Sequence, residues 1–157
     1  MQNVTGLRTV EWKNNKVIMI EQTKLPNELV FVEYNDFNQV ANAIKTLIVR
    51  GAPAIGISGA FGLGLAALQS KATTKEELLS DLESARKILF STRPTAVNLE
   101  WGLEKIMNTA KTGETVEQIR ELVISTAKQM ADEDIKINKS MGKNGAYLFD
   151  DNDTIMT

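Results

Sequence analysis

Two short segments carry residue types suited to holding an anion. In Arg50-Gly51-Ala52-Pro53 a lone arginine precedes a glycine, a small residue and a proline. Proline suits the first turn of a helix, where its missing N–H costs nothing. A helix beginning at or near Pro53 would present unpaired N–H groups and a partial positive charge just where Arg50 stands. Gly51 and Ala52 leave the backbone open to approach, and a guanidinium can bind phosphate through two parallel hydrogen bonds. A solvated arginine in a plain turn is the alternative. In Ser91-Thr92-Arg93-Pro94-Thr95 a second arginine is held extended by the proline after it. Thr92 and Thr95 offer hydroxyls, and Thr95 is placed to cap the next helix; a plain capped loop is the alternative. Two such arginines make a phosphate clamp if they converge, which spacing alone does not decide.

What the chain lacks narrows the chemistry further. Its 157 residues include no cysteine and no histidine. That removes disulfides, thiolate metal sites, the commonest metal ligand and the usual general base. Carboxylates, Lys, Arg, hydroxyls and backbone groups remain. The net charge of -2 and the absence of a Lys/Arg run leave no footprint for nucleic acid. Asp132-Glu133-Asp134 is read as the solvated face of a charged helix, so no metal is expected. Asn98 and Glu100 form a polar pair near a helix start, and Trp101 beside them is expected in the core.

These candidates need elements to position them. Thr9–Trp12 and Lys16–Glu21 flank an Asn-Asn turn, and Leu29–Tyr34 follows; together they predict a small antiparallel meander. The period then changes to that of a helix, with Phe37, Val40, Ala41, Ile44, Leu47 and Ile48 on one face, ending near Gly51. The second helix runs from about Pro53 to Ser70. It is free of charge from Gly51 to Ser70, long enough to raise a membrane span. Its glycines and serines, and the absence of flanking anchors, favour a buried helix instead. Gly56, Gly59, Gly62 and Gly64 each cost about 0.8–1 kcal/mol relative to alanine there. Close packing against one small face, made with Ala60, Leu63 and Ala67, would offset that. Thr74/Glu77 and Thr115/Gln118 read as capping boxes. They start a third helix with Leu78, Leu82, Ala85 and Leu89 inward, and a fifth from Val116 to about Met141 with Ile119, Val123, Ala127 and Met130 inward. Between them a fourth carries Val97, Leu99, Leu103, Ile106, Met107 and Ala110. The glycines and asparagine after Met141 are expected to end the last helix. The N-terminus shows no secretory signal pattern, so a cytoplasmic location without membrane contact is expected. The fold class is mainly α with a small N-terminal β-meander (α+β): a β subdomain over 1–35, a helical bundle over 36–147, and 148–157 leading into a strand.

The stretch from Leu25 to Leu68, with R-G-A-P-A-I-G, and the stretch "LFSTRPTAVNLEWGLEKI" resemble the methylthioribose-1-phosphate isomerase family. These are aldose–ketose isomerases of methionine salvage, related to the regulatory subunits of the eukaryotic initiation factor that exchanges guanine nucleotide. The resemblance implies that Arg50, Gly51, Ala52 and Arg93 bind a sugar phosphate. It implies no cofactor, and a homodimer when full length. It also implies a following Rossmann-like domain that carries the catalytic Cys and Asp and would be this chain's partner. On that reading 148–157 is a linker and first strand, no catalytic residue lies within 1–157, and the chain alone is expected to be inactive. Isomerases of 5-deoxyribose 1-phosphate or ribose 1,5-bisphosphate, and a non-catalytic initiation-factor-like binding domain, remain open alternatives.

Overall fold

Asn14 and Asn15 both take positive φ, 52° and 57°, the left-handed pair that a two-residue hairpin turn requires and asparagine tolerates. In a computed structural model of the chain, which describes residues 6–156, this turn joins β1 (Val10–Lys13) to β2 (Lys16–Ile20). β3 (Phe31–Tyr34) pairs antiparallel with β2, giving the order β1-β2-β3. Val10 faces Met19 and Val17 faces Tyr34. The strand alternation puts Val10, Trp12, Val17 and Met19 into the core. One turn of 3-10 helix, Gln22–Lys24, follows β2.

Five helices complete the fold: α1 (Phe37–Lys45), α2 (Ala52–Gln69), α3 (Lys75–Thr92), α4 (Val97–Thr112) and α5 (Val116–Ala146). α2 is the axis. It touches each of the other four helices, β1 and β2, and is buried without a break from Ile55 to Ala67. By length and composition it could cross a membrane, yet 72% of it is buried inside the fold. The expected stripes of α3, α4 and α5 point inward, apart from Val97, which is exposed.

The glycines of α2 are explained by packing, but not on one face. A Cβ on Gly56 would lie 2.6 Å from the Asn98 carbonyl oxygen, and one on Gly59 2.5 Å from Leu99 Cδ1, both on α4. At Gly62 it would meet Leu89 of α3 at 2.9 Å, and at Gly64 Trp12 of β1 at 2.9 Å. Each glycine admits a different neighbour because the helix is surrounded.

The start of α3 is as expected, and helix ends depart from expectation in four other places. At α3, Thr74 and Glu77 form the full capping box, and the N–H groups of Thr73 and Thr74 hold the Glu77 carboxyl below its ordinary range. At α5, Thr115 Oγ1 accepts the Gln118 N–H, but Gln118 Oε1 accepts from Glu114, one residue further out, so the box is only half closed. The start of α4 is capped at Ala96, and Thr95 makes no cap. α5 continues through Gly142 and Asn144 to Ala146. Nothing lies within 4 Å of where a Cβ on Gly142 would be, so no competing contact stops the helix there. No side chain of α5 after Ala131 is fully buried, and Ile137 and Met141 are exposed. Residues 154–156 take no regular structure, and Thr157 lies outside the described residues.

The fourth departure bears on the site. α1 stops at Lys45, and Leu47 is not on its inner face. Leu47 takes φ 62° and is exposed. Its N–H donates to the Ile44 carbonyl, and the Ile48 N–H donates to Ala43. This pair of bonds is the Schellman arrangement, in which glycine is the usual left-handed residue. A leucine there bears a backbone cost of about 1–2 kcal/mol. Leu47→Gly is therefore expected to raise stability by roughly 0.5–1 kcal/mol, after the larger unfolded-state entropy of glycine is set against it. Chemical denaturation checks this; an unchanged or lower midpoint would show that the leucine side chain contributes more than its backbone costs.

Candidate functional site

The chain turns from α1 into α2 over Leu47–Gly51. Val49 is fully buried and anchors the turn; Arg50 beside it is exposed. Arg50 Nε donates to the Leu47 carbonyl at 3.4 Å, and the Arg50 carbonyl accepts from Gln22 Nε2 at 3.2 Å. Gly51 is the N-cap of α2 with φ 95° and ψ 130°, a region that side chains rarely enter. Crowding is not the reason for glycine here, since an added Cβ would meet only Ala54 Cβ at 3.9 Å. No side chain caps this helix end. Ala52 and Pro53 open the helix, and its first backbone bond runs from the Ile55 N–H to the Gly51 carbonyl. The result is an open, electropositive helix start beside a guanidinium.

This turn borders a cleft of about 390 Å³, within the size range of small-ligand sites. Pro53, Ala54 and Ile57 line it on the α2 side, Leu7–Val10 on another, and Asp134, Asn138 and Lys139 of α5 on the third. Arg8 is paired with Asp132 at 2.8 Å. Asp134 Oδ1 accepts from Asn138 at 3.1 Å. Glu133 accepts from Gln129 at 2.7 Å and lies 3.6 Å from Lys105. The three acidic residues thus share no partner. Among the described residues no cluster of three or more acidic groups is arranged to hold a metal. Arg8, Asp134 and Lys139 were not legible as neighbours of Arg50, because they come from distant parts of the chain.

Arg93 does not line this cleft. It is the C-cap of α3, half-buried, with φ −151° and ψ 76°, extended as a residue before proline should be. The Thr92 hydroxyl donates to the Leu89 carbonyl at 2.6 Å, so its proton is turned back onto the helix. Helix packing nevertheless places Arg93 and Arg50 at the same end of the bundle. α2 begins a turn before Gly56 and α4 just before Asn98, and these two residues meet at the crossing. A second cleft of about 250 Å³ opens beside the first; it shares Pro53, Ile57 and Asp134 and adds Asn98, Trp101 and Ile137. Trp101 is not in the core. It is 53% exposed, with Lys105 Nζ 5.3 Å from its ring centroid, while Leu99 takes the buried position.

A mostly helical bundle with a small N-terminal antiparallel sheet is an architecture that solved proteins share with this chain. The Initiation factor 2 subunit family (IF-2B) matches residues 48–157, and the chain belongs to it. It is 43% identical over 154 residues to the methylthioribose-1-phosphate isomerase of Geotalea uraniireducens, covering 97% of this chain and 44% of that protein. The 5-methylthioribose 1-phosphate isomerase of Pyrococcus horikoshii superposes with a TM-score of 0.88 at 46% identity, over 93% of this chain and 42% of that one. A protein from A. fulgidus described as translation initiation factor eIF-2B, subunit delta, superposes with a TM-score of 0.87 at 43% identity, over 94% and 43%. The chain spans less than half the length of the curated relatives it matches.

Proposed function

We propose that this chain is the N-terminal, substrate-gripping part of an aldose–ketose isomerase that converts methylthioribose 1-phosphate to methylthioribulose 1-phosphate in methionine salvage. One observation carries the reading: the positive-φ turn at Gly51 leaves the start of α2 uncapped beside Arg50, at the edge of a cleft. The names of the relatives point to the substrate. In this reaction the phosphate stays attached while hydrogen moves between C1 and C2. Holding the phosphate therefore fixes the reacting carbons without touching them. Arg50, Gly51 and Ala52 form the grip, and Arg93 joins it from the loop before α4. The catalytic Cys and Asp, and the Rossmann-like domain that bears them, belong to the rest of the full-length protein, which acts as a homodimer. The exposed apolar side chains Ile137, Met141, Tyr147 and Leu148 are surface that this further chain would cover.

Proton NMR of the full-length protein with methylthioribose 1-phosphate tests the reading. The aldose signals are expected to give way to those of the ketose, while residues 1–157 alone produce no ketose. Turnover of 5-deoxyribose 1-phosphate or ribose 1,5-bisphosphate in its place would reassign the substrate. Binding without turnover of any of the three would favour a regulatory domain of the kind the A. fulgidus relative's description suggests.

A further inference from the structure

The turn that carries Arg50 has no regular structure of its own, yet it is held at two points by one residue from outside the bundle. The Gln22 N–H donates to the Ile48 carbonyl at 2.9 Å, and Gln22 Nε2 donates to the Arg50 carbonyl at 3.2 Å. Ile48 and Arg50 flank the buried Val49, so the two bonds grip the same three-residue segment from its polar side. Gln22 is itself held in place. It begins the 3-10 turn after β2, and the Glu21 N–H before it donates to the Val30 carbonyl at 2.9 Å, just ahead of β3. The position of the Arg50 backbone is thereby referred to the sheet.

The two ends of the turn show why such a brace matters. Leu47 takes a left-handed conformation that leucine disfavours, and Gly51 takes one available mainly to glycine. The segment between them has few local reasons to keep one shape. Without the Gln22 amide the Arg50 carbonyl would face water, and the peptide between Arg50 and Gly51 would be free to rotate. That rotation would re-aim the Arg50 carbonyl and the Gly51 N–H at the start of α2, beside the guanidinium that Arg50 Nε ties to the Leu47 carbonyl.

We infer that Gln22 is a positioning residue for the anion grip: its side-chain amide fixes the Arg50–Gly51 peptide, and with it the direction of the Gly51 N–H at the start of α2. The role rests on the proposed function of the Arg50 turn. It gives the N-terminal meander a part in substrate binding although no strand residue supplies the grip.

The test uses the full-length protein and three variants, Gln22→Met, Thr23→Ala and Arg50→Ala. Methionine keeps about the length of the glutamine side chain and replaces its amide, the N–H donor and the carbonyl acceptor both, with a thioether. Gln22→Met is expected to raise KM for methylthioribose 1-phosphate about 3- to 10-fold, the span of one net hydrogen bond, with kcat within about twofold. It is also expected to speed amide exchange at Ile55, whose N–H binds the Gly51 carbonyl. Thr23→Ala, in the same turn, is expected to change neither. A Gln22→Met protein that loses thermal stability with KM unchanged would give Gln22 a structural role only and overturn the inference. So would unchanged exchange at Ile55. If Arg50→Ala leaves KM unmoved, the grip itself is wrong and the inference falls with it. If Arg50→Ala raises KM and Gln22→Met does not, the inference alone fails.

Discussion

On the proposed function, full-length protein carrying Arg50→Ala is expected to lose about 10- to 100-fold in kcat/KM for methylthioribose 1-phosphate, most of it through KM. The size follows from a hydrogen bond to a charged group, about 1.5–3 kcal/mol, with each 1.4 kcal/mol worth a factor of ten. The effect falls on KM because the phosphate keeps its charge through the reaction, so its grip binds substrate and transition state alike. The same substitution at Arg93 discriminates two geometries. Arg93 does not line the cleft beside Arg50, although both loops open at one end of the bundle. If both guanidiniums hold one phosphate, the double variant will lose less than the product of the two single losses. If they act apart, the losses will multiply. Steady-state kinetics on the two single variants and the double variant measure this directly. No effect of Arg50→Ala on KM would remove the grip from the account.

The largest expected loss of stability is at Gly102. A Cβ there would sit 2.6 Å from the Gly56 carbonyl oxygen and 3.3 Å from its Cα. The obstacle is backbone, so no side chain can swing aside, and α2 and α4 would have to separate. Overpacking of this kind costs about 1–3 kcal/mol or more, against a helix-propensity gain of about 1 kcal/mol for alanine over glycine. Gly102→Ala is expected to lower stability by about 2 kcal/mol, the upper end of that balance, and the melting temperature by about 4–8 °C. Gly142 is also helical but has open space around it. Gly142→Ala is expected to increase helix content by circular dichroism without lowering the melting temperature. Calorimetry of the two variants checks the contrast; equal effects would mean that the α2–α4 crossing is not the reason for Gly102.

Much of the scaffold was legible in residue order. Local rules placed the hairpin at Asn14-Asn15 and the capping box at Thr74, because a turn or cap depends on a few neighbours in the chain. The stripes of α3, α4 and α5 were equally plain, since each helix has one face to water and one to the core. α2 has no such contrast. It is apolar all round, so its glycines could not be assigned to partners, and the supposed single small face proved to be several. Leu47 was misplaced because the usual marker of a left-handed helix end is glycine, and this chain uses leucine. Trp101 was misplaced because size and apolarity suggested burial, whereas its neighbour Leu99 fills the core and leaves the ring beside Lys105.

The site divides the same way. Residue order by itself determined that Arg50-Gly51-Ala52-Pro53 makes an open helix start and that Arg93 is held extended by Pro94, for these follow from proline's ring, glycine's missing Cβ and the unpaired N–H groups of a helix end. It also determined that neither histidine nor cysteine within this chain can do the proton chemistry. Only the tertiary structure decided that Lys139 and Asp134 of α5 share a cleft with Arg50, that Arg93 stands outside it, and that Gln22 braces the turn from the sheet. Those are contacts between residues tens of positions apart. They are set by how α2 is enclosed, through packing that no local pattern encodes.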